Sequence, residues 1–312
     1  MKACLVSLAL TFGLAGWLSA GPLDPAEIPA GARWLVHVDS DAARKSKAVD
    51  AVRQAWMGQE RVRKHIEKVR DVVGLDPSRD LHSVTFCGSG FARGSTVVIV
   101  RAEVNLLRLA GYMKKLPEHG TESYRDHQLH RWTQGKGRKH EHTVTGAVGK
   151  PGVLVFGRNP ERVKAVLDVL DGRAPKLADD SPLAAAVLPG TVFAARAIGL
   201  SRDDVPFKSP VVRLSQQLSV LGGEKDAQIF VRAKLVTNSE EVAGQVRDVI
   251  EGFRAMAKLG HEDDEETKKF FDSMDIGTEG REVTVGWRGP DTEALKLIVK
   301  EWMKRHKPKR KH

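Results

Sequence analysis

The chain has 312 residues, of which 41% are hydrophobic and 6% aromatic, and its formal net charge is +10. This apolar content is sufficient for a buried core, and the length suits two domains or one duplicated unit. After the first 20 residues no apolar run reaches the roughly 20 residues of a membrane-spanning helix, so we expect a soluble mature protein.

Residues 1–20 have the order of a secretory signal. Lys2 is the only charge, an apolar segment covers residues 3–18, and Ser19 and Ala20 are small residues suited to cleavage. A charged start, an apolar core and a small-residue end are typical of signal peptides. We therefore predict cleavage after Ala20 and export to the periplasm or the extracellular space, with an uncleaved anchor as the alternative.

Cysteine usage bears on the same question. The chain has two cysteines, Cys4 and Cys87, and Cys4 would leave with the signal. Cys87 then has no partner within its chain, so we expect a fold without an internal disulfide. Cys87 is interpreted as a small apolar residue of a strand, with a reactive thiol or an intermolecular bridge as alternatives.

Hydrophobic periodicity and turn residues predict alternating strands and helices after the signal. In the first part of the chain we expect strands near 34–39, 82–88, 95–103, 123–132, 140–148 and 152–157, and helices near 43–56, 60–73, 105–116 and 160–171. In the second part we expect strands near 192–198, 226–236 and 282–287, and helices near 210–217, 239–259 and 267–274. Pro290 would open a last helix. Short connections between strands favour antiparallel pairing, with helices covering the sheet.

Four short blocks recur in the same order, which indicates an internal duplication. The blocks at 28–38, 45–49, 100–103 and 158–161 correspond to those at 188–197, 208–212, 231–234 and 288–291. One deletion of roughly thirty residues in the second copy, where the first has an extra helix at 60–73, reconciles their spacing. The predicted fold is α+β, with two related modules of mainly antiparallel sheet covered by helices.

The duplication sets the predicted boundaries. The first module covers 21–172 and includes a histidine-bearing hairpin at about 123–148. Residues 173–187 form a linker with a short helix beginning at Ser181, and the second module covers 188–303. Residues 304–312 form a disordered tail.

A family resemblance rests on two segments. The unit from Ser181 to Thr191, which leads into a strand, resembles a recurring unit of uncharacterised exported bacterial proteins of duplicated α+β build. The opening from Ile28 to Asp39 is similar to the starts of secreted proteins of planctomycete-type bacteria. The resemblance implies export and a duplicated fold, and it implies no activity and no functional residues.

The best local candidate for chemistry is a histidine cluster on the predicted hairpin. With a turn near Lys136, His130 would face His142 and Trp132 would face His140, so that His130, His140 and His142 converge. Three imidazoles can bind zinc or copper. The alternative is a solvated hairpin whose histidines are ordinary polar residues, because a slip of one residue would separate them.

Other motifs do not complete a known site. Cys87-Gly88-Ser89-Gly90 lacks the Gly-x-Ser-x-Gly spacing of a nucleophile elbow, and Gly149-Lys150 is followed by Pro151 rather than the Ser or Thr of a phosphate loop. The acidic run at 262–266 lacks the alternating ligands and central glycine of a calcium loop. The predicted strands carry no aromatic platform for bases, so we expect no specific nucleic-acid binding.

The positive charge is concentrated at the C-terminus. Its cationic residues are Lys304, Arg305, Lys307, Lys309, Arg310 and Lys311. In an exported protein such a tail would meet anionic envelope polymers, membrane headgroups or acidic proteins. An intramolecular contact with the acidic run, or no partner at all, is the alternative. The sequence thus favours an exported, non-catalytic scaffold or binding protein, with a metal-binding protein or hydrolase using the histidine hairpin as the second interpretation.

Overall fold

The computed structural model describes residues 21–290, except 93, 136, 138–140, 201–208 and 262–263. The predicted signal peptide, the last predicted helix and the basic tail therefore lie outside the described residues. So does His140 of the predicted histidine cluster.

Within these residues, twelve antiparallel strands form one sheet in the order β11-β12-β10-β9-β8-β1-β2-β3-β7-β6-β5-β4. The strands are β1 Trp34–Asp39, β2 Leu81–Gly88, β3 Thr96–Ala102, β4 Gly120–Tyr124, β5 His127–Gln134, β6 His142–Val148, β7 Val153–Gly157, β8 Thr191–Ile198, β9 Ser215–Lys225, β10 Gln228–Thr237, β11 Asp275–Glu279 and β12 Glu282–Pro290. The two predicted modules thus share a sheet.

Helices lie between the strands at several points of the chain. They are α1 Ser40–Lys45, α2 Lys47–Met57, α3 Glu60–Val73, α4 Leu106–Met113, α5 Pro160–Leu170, α6 Pro210–Arg213, α7 Glu240–Leu259 and α8 Glu265–Asp272, and a short 3-10 helix covers Pro25–Glu27. The predicted α+β class with a mainly antiparallel sheet is confirmed. In the described part of the chain, no helix combines the length and apolarity needed to cross a membrane.

The sheet has a matching order on either side of its centre. Strands β1 and β8 pair antiparallel, with Leu35 opposite Arg196. From this pair outward, the strand order is β1-β2-β3-β7-β6 on one side and β8-β9-β10-β12-β11 on the other. Among the described strands, β5 and β4 extend the first side only. Three of the four pairs of recurring sequence blocks lie in or next to strands with matching places in this order. These strand pairs are β1 with β8, β3 with β10, and the ends of β7 and β12. This order is what a tandem duplication predicts, and the duplication itself stays a prediction.

The main core lies on one face of the first half of the sheet and is covered by α5. Asn159 caps α5 by accepting a hydrogen bond from the Glu161 N–H, and Pro160 occupies the first turn, where its missing N–H costs nothing. The helix buries Val163, Val166 and Leu167 among strand residues of the same cluster, which includes Leu35, Ile99, Leu129, Val153 and Val155. Each fully buried aliphatic side chain stabilises the fold by about 1.5–3 kcal/mol.

Several elements differ from the prediction. The predicted strand 123–132 is wrong as one strand, because a turn at 125–126 divides it into β4 and β5, which pair with each other. The first helix is interrupted at Ser46, whose hydroxyl caps α2 by accepting from the Val49 N–H and also donates to Glu224 at 2.6 Å. The predicted helix 210–217 is wrong beyond Arg213, because Ser215 begins β9, a long strand that pairs on both sides. Strand β11 was also not predicted.

The predicted short helix at Ser181 is wrong, since the chain forms turns there. The buried Arg196 guanidinium donates hydrogen bonds to the carbonyls of Leu183 at 2.8 Å and Ala186 at 3.2 Å. A helix would need those carbonyls for its own N–H groups four residues on. A distant side chain therefore replaces the backbone donors that a helix would have used.

Candidate functional site

A pocket of about 360 Å³ lies where α4 passes the ends of β3, β6 and β7. Most of its lining is apolar and comes from Ala102, Val104, Leu106, Val148 and Leu154. Val148 and Leu154 are directly opposite each other on neighbouring strands, so their side chains share one face of the sheet. The volume falls within the range of small-molecule sites, about 300–1,000 Å³.

The backbone around this pocket is fixed by hydrogen bonds between β3 and the turn that joins β6 to β7. The Ala102 N–H donates to the Gly152 carbonyl at 2.9 Å, and the Val153 N–H donates to the Lys150 carbonyl at 2.8 Å. Gly152 has φ of +76°, a left-handed conformation that glycine adopts without a steric penalty. The turn is therefore held tightly against the end of β3.

Helix α4 supplies the other wall. Asn105 caps it by accepting a hydrogen bond from the Arg108 N–H, which positions Leu106 as the first helical residue. Leu106 lines the pocket and is 50% exposed, whereas its neighbour Leu107 is 86% exposed and does not line it. Leu106 therefore lies at the mouth of the pocket.

The charged groups beside the pocket are paired with protein groups. The Arg101 guanidinium lies 2.8 Å from Glu27 Oε1 and 2.9 Å from Asp24 Oδ2, and the Lys150 ammonium lies 3.0 Å from Glu27 Oε1. Arg101 and Glu27 are both buried. Because buried charges are stabilised by such pairing, Asp24 and Glu27 are tied to Arg101, and Arg101 has little charge left for a ligand.

A second set of polar groups centres on His82, which also lines the pocket. His82 Nδ1 is 3.2 Å from the Asp41 carboxylate, and its Nε2 is 3.7 Å from Glu103 Oε1. Glu103 is exposed, so the second contact is solvent-screened and weak. With Arg101 and His82 paired in this way and with most of its lining apolar, the pocket is suited to an apolar molecule or group rather than to an anion.

The histidine hairpin has a different register from the one predicted. His142 lies opposite Gln134, and His130 lies opposite Gly146. The expected pairing of His130 with His142 is therefore wrong, as is that of Trp132 with His140, because Trp132 lies opposite Val144. The turn is centred about two residues further along the chain than Lys136, so the residue opposite His142 is Gln134 rather than His130, four residues further along β5.

His130 instead contacts a histidine outside the predicted cluster. His119 Nε2 is 3.1 Å from His130 Nδ1, and the two rings are stacked with centroids 5.4 Å apart. Burial lowers the pKa of His130, and the neighbouring His119 and Lys114 lower it further. Within the described ranges, no group of three or more His, Cys, Asp or Glu side chains could hold a metal. Zinc or copper binding stays a prediction, because His140 lies outside those ranges.

Cys87 is buried in β2, as predicted for a small apolar residue. Burial raises the pKa of its thiol to about 12. The thiolate is the reactive form of cysteine, so at neutral pH this side chain is a poor nucleophile.

The sequence did not single out the pocket, because its lining comes from five separate elements and carries no motif. The only local signal was the recurring block at 100–103 followed by the helix cap at Asn105. Predicting the site requires knowing that β3 lies beside β7, and that pairing joins residues about fifty positions apart.

Comparison with known proteins gives a structural likeness only. No protein-family model matches the chain, and no curated protein matches it. The similar solved structures include crystal forms III and IV of TP0453. Form III has a TM-score of 0.49 and 9% identity, covering 89% of this chain and 99% of that one. Form IV has a TM-score of 0.45 and 8% identity, with 90% and 97% covered. A likeness at this level supports no functional argument.

Proposed function

We propose that the protein is an exported, non-catalytic binding protein of the periplasm, envelope or extracellular space, and that the pocket beside α4 is its ligand site. The observation that supports this most is the apolar lining of a cavity of about 360 Å³ whose charged neighbours are already paired. The residues of the first 20 positions support export.

The ligand class follows from the lining. Burial of apolar surface gives about 25 cal/mol per Å², so a compact apolar group gains affinity from Val148, Leu154 and Leu106 without needing an ion pair. Charged ligands would have to displace the existing pairs of Arg101 or His82, which costs more than it returns. We therefore propose an uncharged apolar molecule, or the apolar part of a larger one, as the ligand.

A fluorescence titration with the neutral probe N-phenyl-1-naphthylamine tests this function. The proposal predicts saturable binding to the mature chain, and a loss of roughly tenfold in affinity for Leu106→Gln, since a polar group at the mouth disfavours apolar burial. Leu107→Gln is the matched control, because Leu107 is the next residue and does not line the pocket. Equal effects of the two substitutions, or no saturable binding, would contradict the proposal.

The basic tail is proposed as a weak tether to anionic surfaces. Cationic segments bind such surfaces with about 1 kcal/mol per lysine or arginine, and salt screens the attraction. Deleting residues 304–312 should abolish salt-sensitive binding to vesicles that contain anionic lipid. Binding that survives the deletion would show that the tether lies elsewhere.

A second candidate function, metal handling or hydrolysis at the hairpin, is favoured by one observation. His119 and His130 bring two imidazole nitrogens within 3.1 Å of each other. The test is metal analysis of protein prepared without a histidine tag, beside a His130→Ala/His142→Ala variant. Stoichiometric zinc or copper that the variant loses would support this candidate, and the absence of stoichiometric metal would remove it.

A further inference from the structure

The segment that follows the predicted cleavage point is anchored on the core face of the sheet. Leu23 packs against the main core, and Ile28 is 1% exposed within it. Asp24 and Glu27 both pair with Arg101. Gly21, the first described residue, is itself buried. The start of the mature chain is thus part of the packed structure.

Gly21 lies against two polar side chains of β1. Its carbonyl oxygen is 2.8 Å from His37 Nε2, and its φ is +100°. A Cβ built on Gly21 would lie 2.4 Å from Asp39 Oδ1, so only glycine fits at this close approach. The Cβ position lies one carbon–carbon bond, about 1.5 Å, from the Cα. The Cα of Gly21 is therefore within about 4 Å of Asp39 Oδ1.

The Asp39 carboxylate is suited to receive a cation at this point. Its Oδ1 accepts a hydrogen bond from the Ala42 N–H at 2.8 Å, which caps α1. Burial raises the pKa of Asp39 by more than the Ala42 hydrogen bond and the charges of His37, Lys45 and Arg44 lower it, so a closer cation would stabilise the carboxylate further. Across the part of the chain that the structure describes, no lysine or arginine side chain forms an ion pair with Asp39.

We propose that Asp39 is the binding site for the α-ammonium group that removal of the signal peptide creates on Gly21. The inference rests on the proposed export, because cleavage after Ala20 makes Gly21 the first residue. The amino nitrogen is bonded to the same Cα that the carboxylate already approaches. His37 holds the carbonyl of the same residue, so the glycine is fixed from both sides.

The chemistry of cleavage supplies the charge. Hydrolysis of the Ala20–Gly21 peptide bond consumes one water, and Ala20 leaves with the hydroxyl as a carboxylate. The nitrogen of Gly21 changes from an uncharged amide to an amine, which is protonated at neutral pH because its pKa is about 7.7–8.0. The ion pair with Asp39 therefore forms only in the mature chain, and it stabilises the fold after the leader is removed.

A double-mutant cycle tests this pair. Two chains are prepared by release from a cleavable fusion partner, one beginning at Gly21 and one at Ala20, which moves the ammonium by about 3.8 Å. Each is also made with Asp39→Asn, since asparagine retains the helix cap. With Asp39 present, the Ala20 extension should lower the thermal midpoint by roughly 2–4 °C, and with Asp39→Asn it should lower it clearly less.

Labelling of the terminal amine gives a second measurement. The amine of the chain that begins at Gly21 should react at least several-fold more slowly with an acylating reagent at pH 7 than the amine of its Asp39→Asn variant. Equal reactivity together with an equal effect of the extension in both backgrounds would overturn the proposal.

The N-terminus of the protein recovered after export separates the two claims. A first residue other than Gly21 would overturn both the predicted cleavage point and the Asp39 pair. A start at Gly21 without coupling to Asp39 would leave the proposed export intact and overturn this inference alone. A start at Gly21 with coupling supports both.

Discussion

The two halves of the sheet share a strand order and differ in what they bury. The first half has a large core under α5 and contains buried charges and the pocket beside α4. The described residues of the second half bury smaller clusters, one of which consists of Leu235, Ala243, Val246 and Val283 where α7 meets the sheet. Its buried Arg196 bonds backbone carbonyls rather than a carboxylate. Further along α7, Val249, Phe253, Met256 and Leu259 are exposed. A shared topology therefore does not fix where the binding surface lies.

The corresponding ends of β3 and β10 illustrate the difference. In the first half, the Ala102 N–H donates to Gly152 at 2.9 Å, and small side chains leave the pocket open. In the second half, the Thr237 N–H donates to Arg281 at the same distance, while the Thr237 hydroxyl bonds the carbonyls of Ser239 and Arg281. Both halves thus have the same backbone hydrogen bond at this point. The first half has an apolar pocket beside it, whereas the second has a threonine hydroxyl that is already hydrogen-bonded to the backbone.

The largest expected difference concerns two arginines in corresponding sequence blocks. Arg101 is buried and paired with Glu27, whereas Arg232 is exposed. Arg101→Met should lower the free energy of unfolding by about 3–5 kcal/mol, because it leaves a buried carboxylate without its main partner. Arg232→Met should change it by less than about 0.5 kcal/mol, as measured by urea unfolding. Similar losses would mean that the halves do not differ as described.

A matched pair of leucines compares the cores themselves. Leu35 is fully buried in the main core, and Leu235 is 7% exposed in the small one. Both alanine substitutions should destabilise the protein within the range of about 2–5 kcal/mol, with Leu35→Ala nearer the upper end because Leu35 is completely buried within the larger cluster. Denaturant unfolding monitored by circular dichroism gives both values. A larger loss for Leu235→Ala would reverse the comparison.

A smaller effect depends on pH. Burial lowers the pKa of His37, so the unfolded chain binds a proton more readily than the folded one. The free energy of unfolding should therefore fall as pH drops below about 6.5, the usual histidine value, until the folded histidine is protonated too. His37→Gln should flatten this part of the stability profile between pH 7 and 5. A profile unchanged by the substitution would show that His37 is not responsible.

The smallest expected effect is on the exposed side of α7. Phe253 is 60% exposed, so Phe253→Gln should change the free energy of unfolding by less than about 0.5 kcal/mol. Val246→Ala, on the buried side of the same helix, is the control and should cost clearly more. A large loss at Phe253 would show that this surface is covered in solution.

The sequence predicted those parts of the fold whose signals are local. The cap and apolar stripe of α5, the alternation of β1 and the strong signals for α3 and α7 are all readable from short windows. Strand β9 was missed because its glycines and polar residues interrupt the alternation, and the ladder with β8 and β10 on either side specifies it. The register of the histidine hairpin was wrong because one turn position decides every pairing in it.

The pocket was beyond sequence reasoning for a different reason. Its lining residues come from β2, β3, β6, β7 and α4 and the segments next to them, and most of its apolar lining is ordinary aliphatic residues that carry no signal in their own segments. Buried ion pairs such as Arg101 with Glu27 also join segments that are far apart in the sequence. The sequence alone therefore does not show which charged residues are already paired and which could bind a ligand.

The central claim is that apolar ligands bind in the first half of the sheet and not at the corresponding place in the second. Amide chemical-shift mapping of the labelled mature chain with N-phenyl-1-naphthylamine tests this most directly. The account predicts saturable shifts at 102–106 and 148–154, with little change at 237–240 and 279–283. Shifts concentrated on the second half, or along the exposed side of α7, would contradict it.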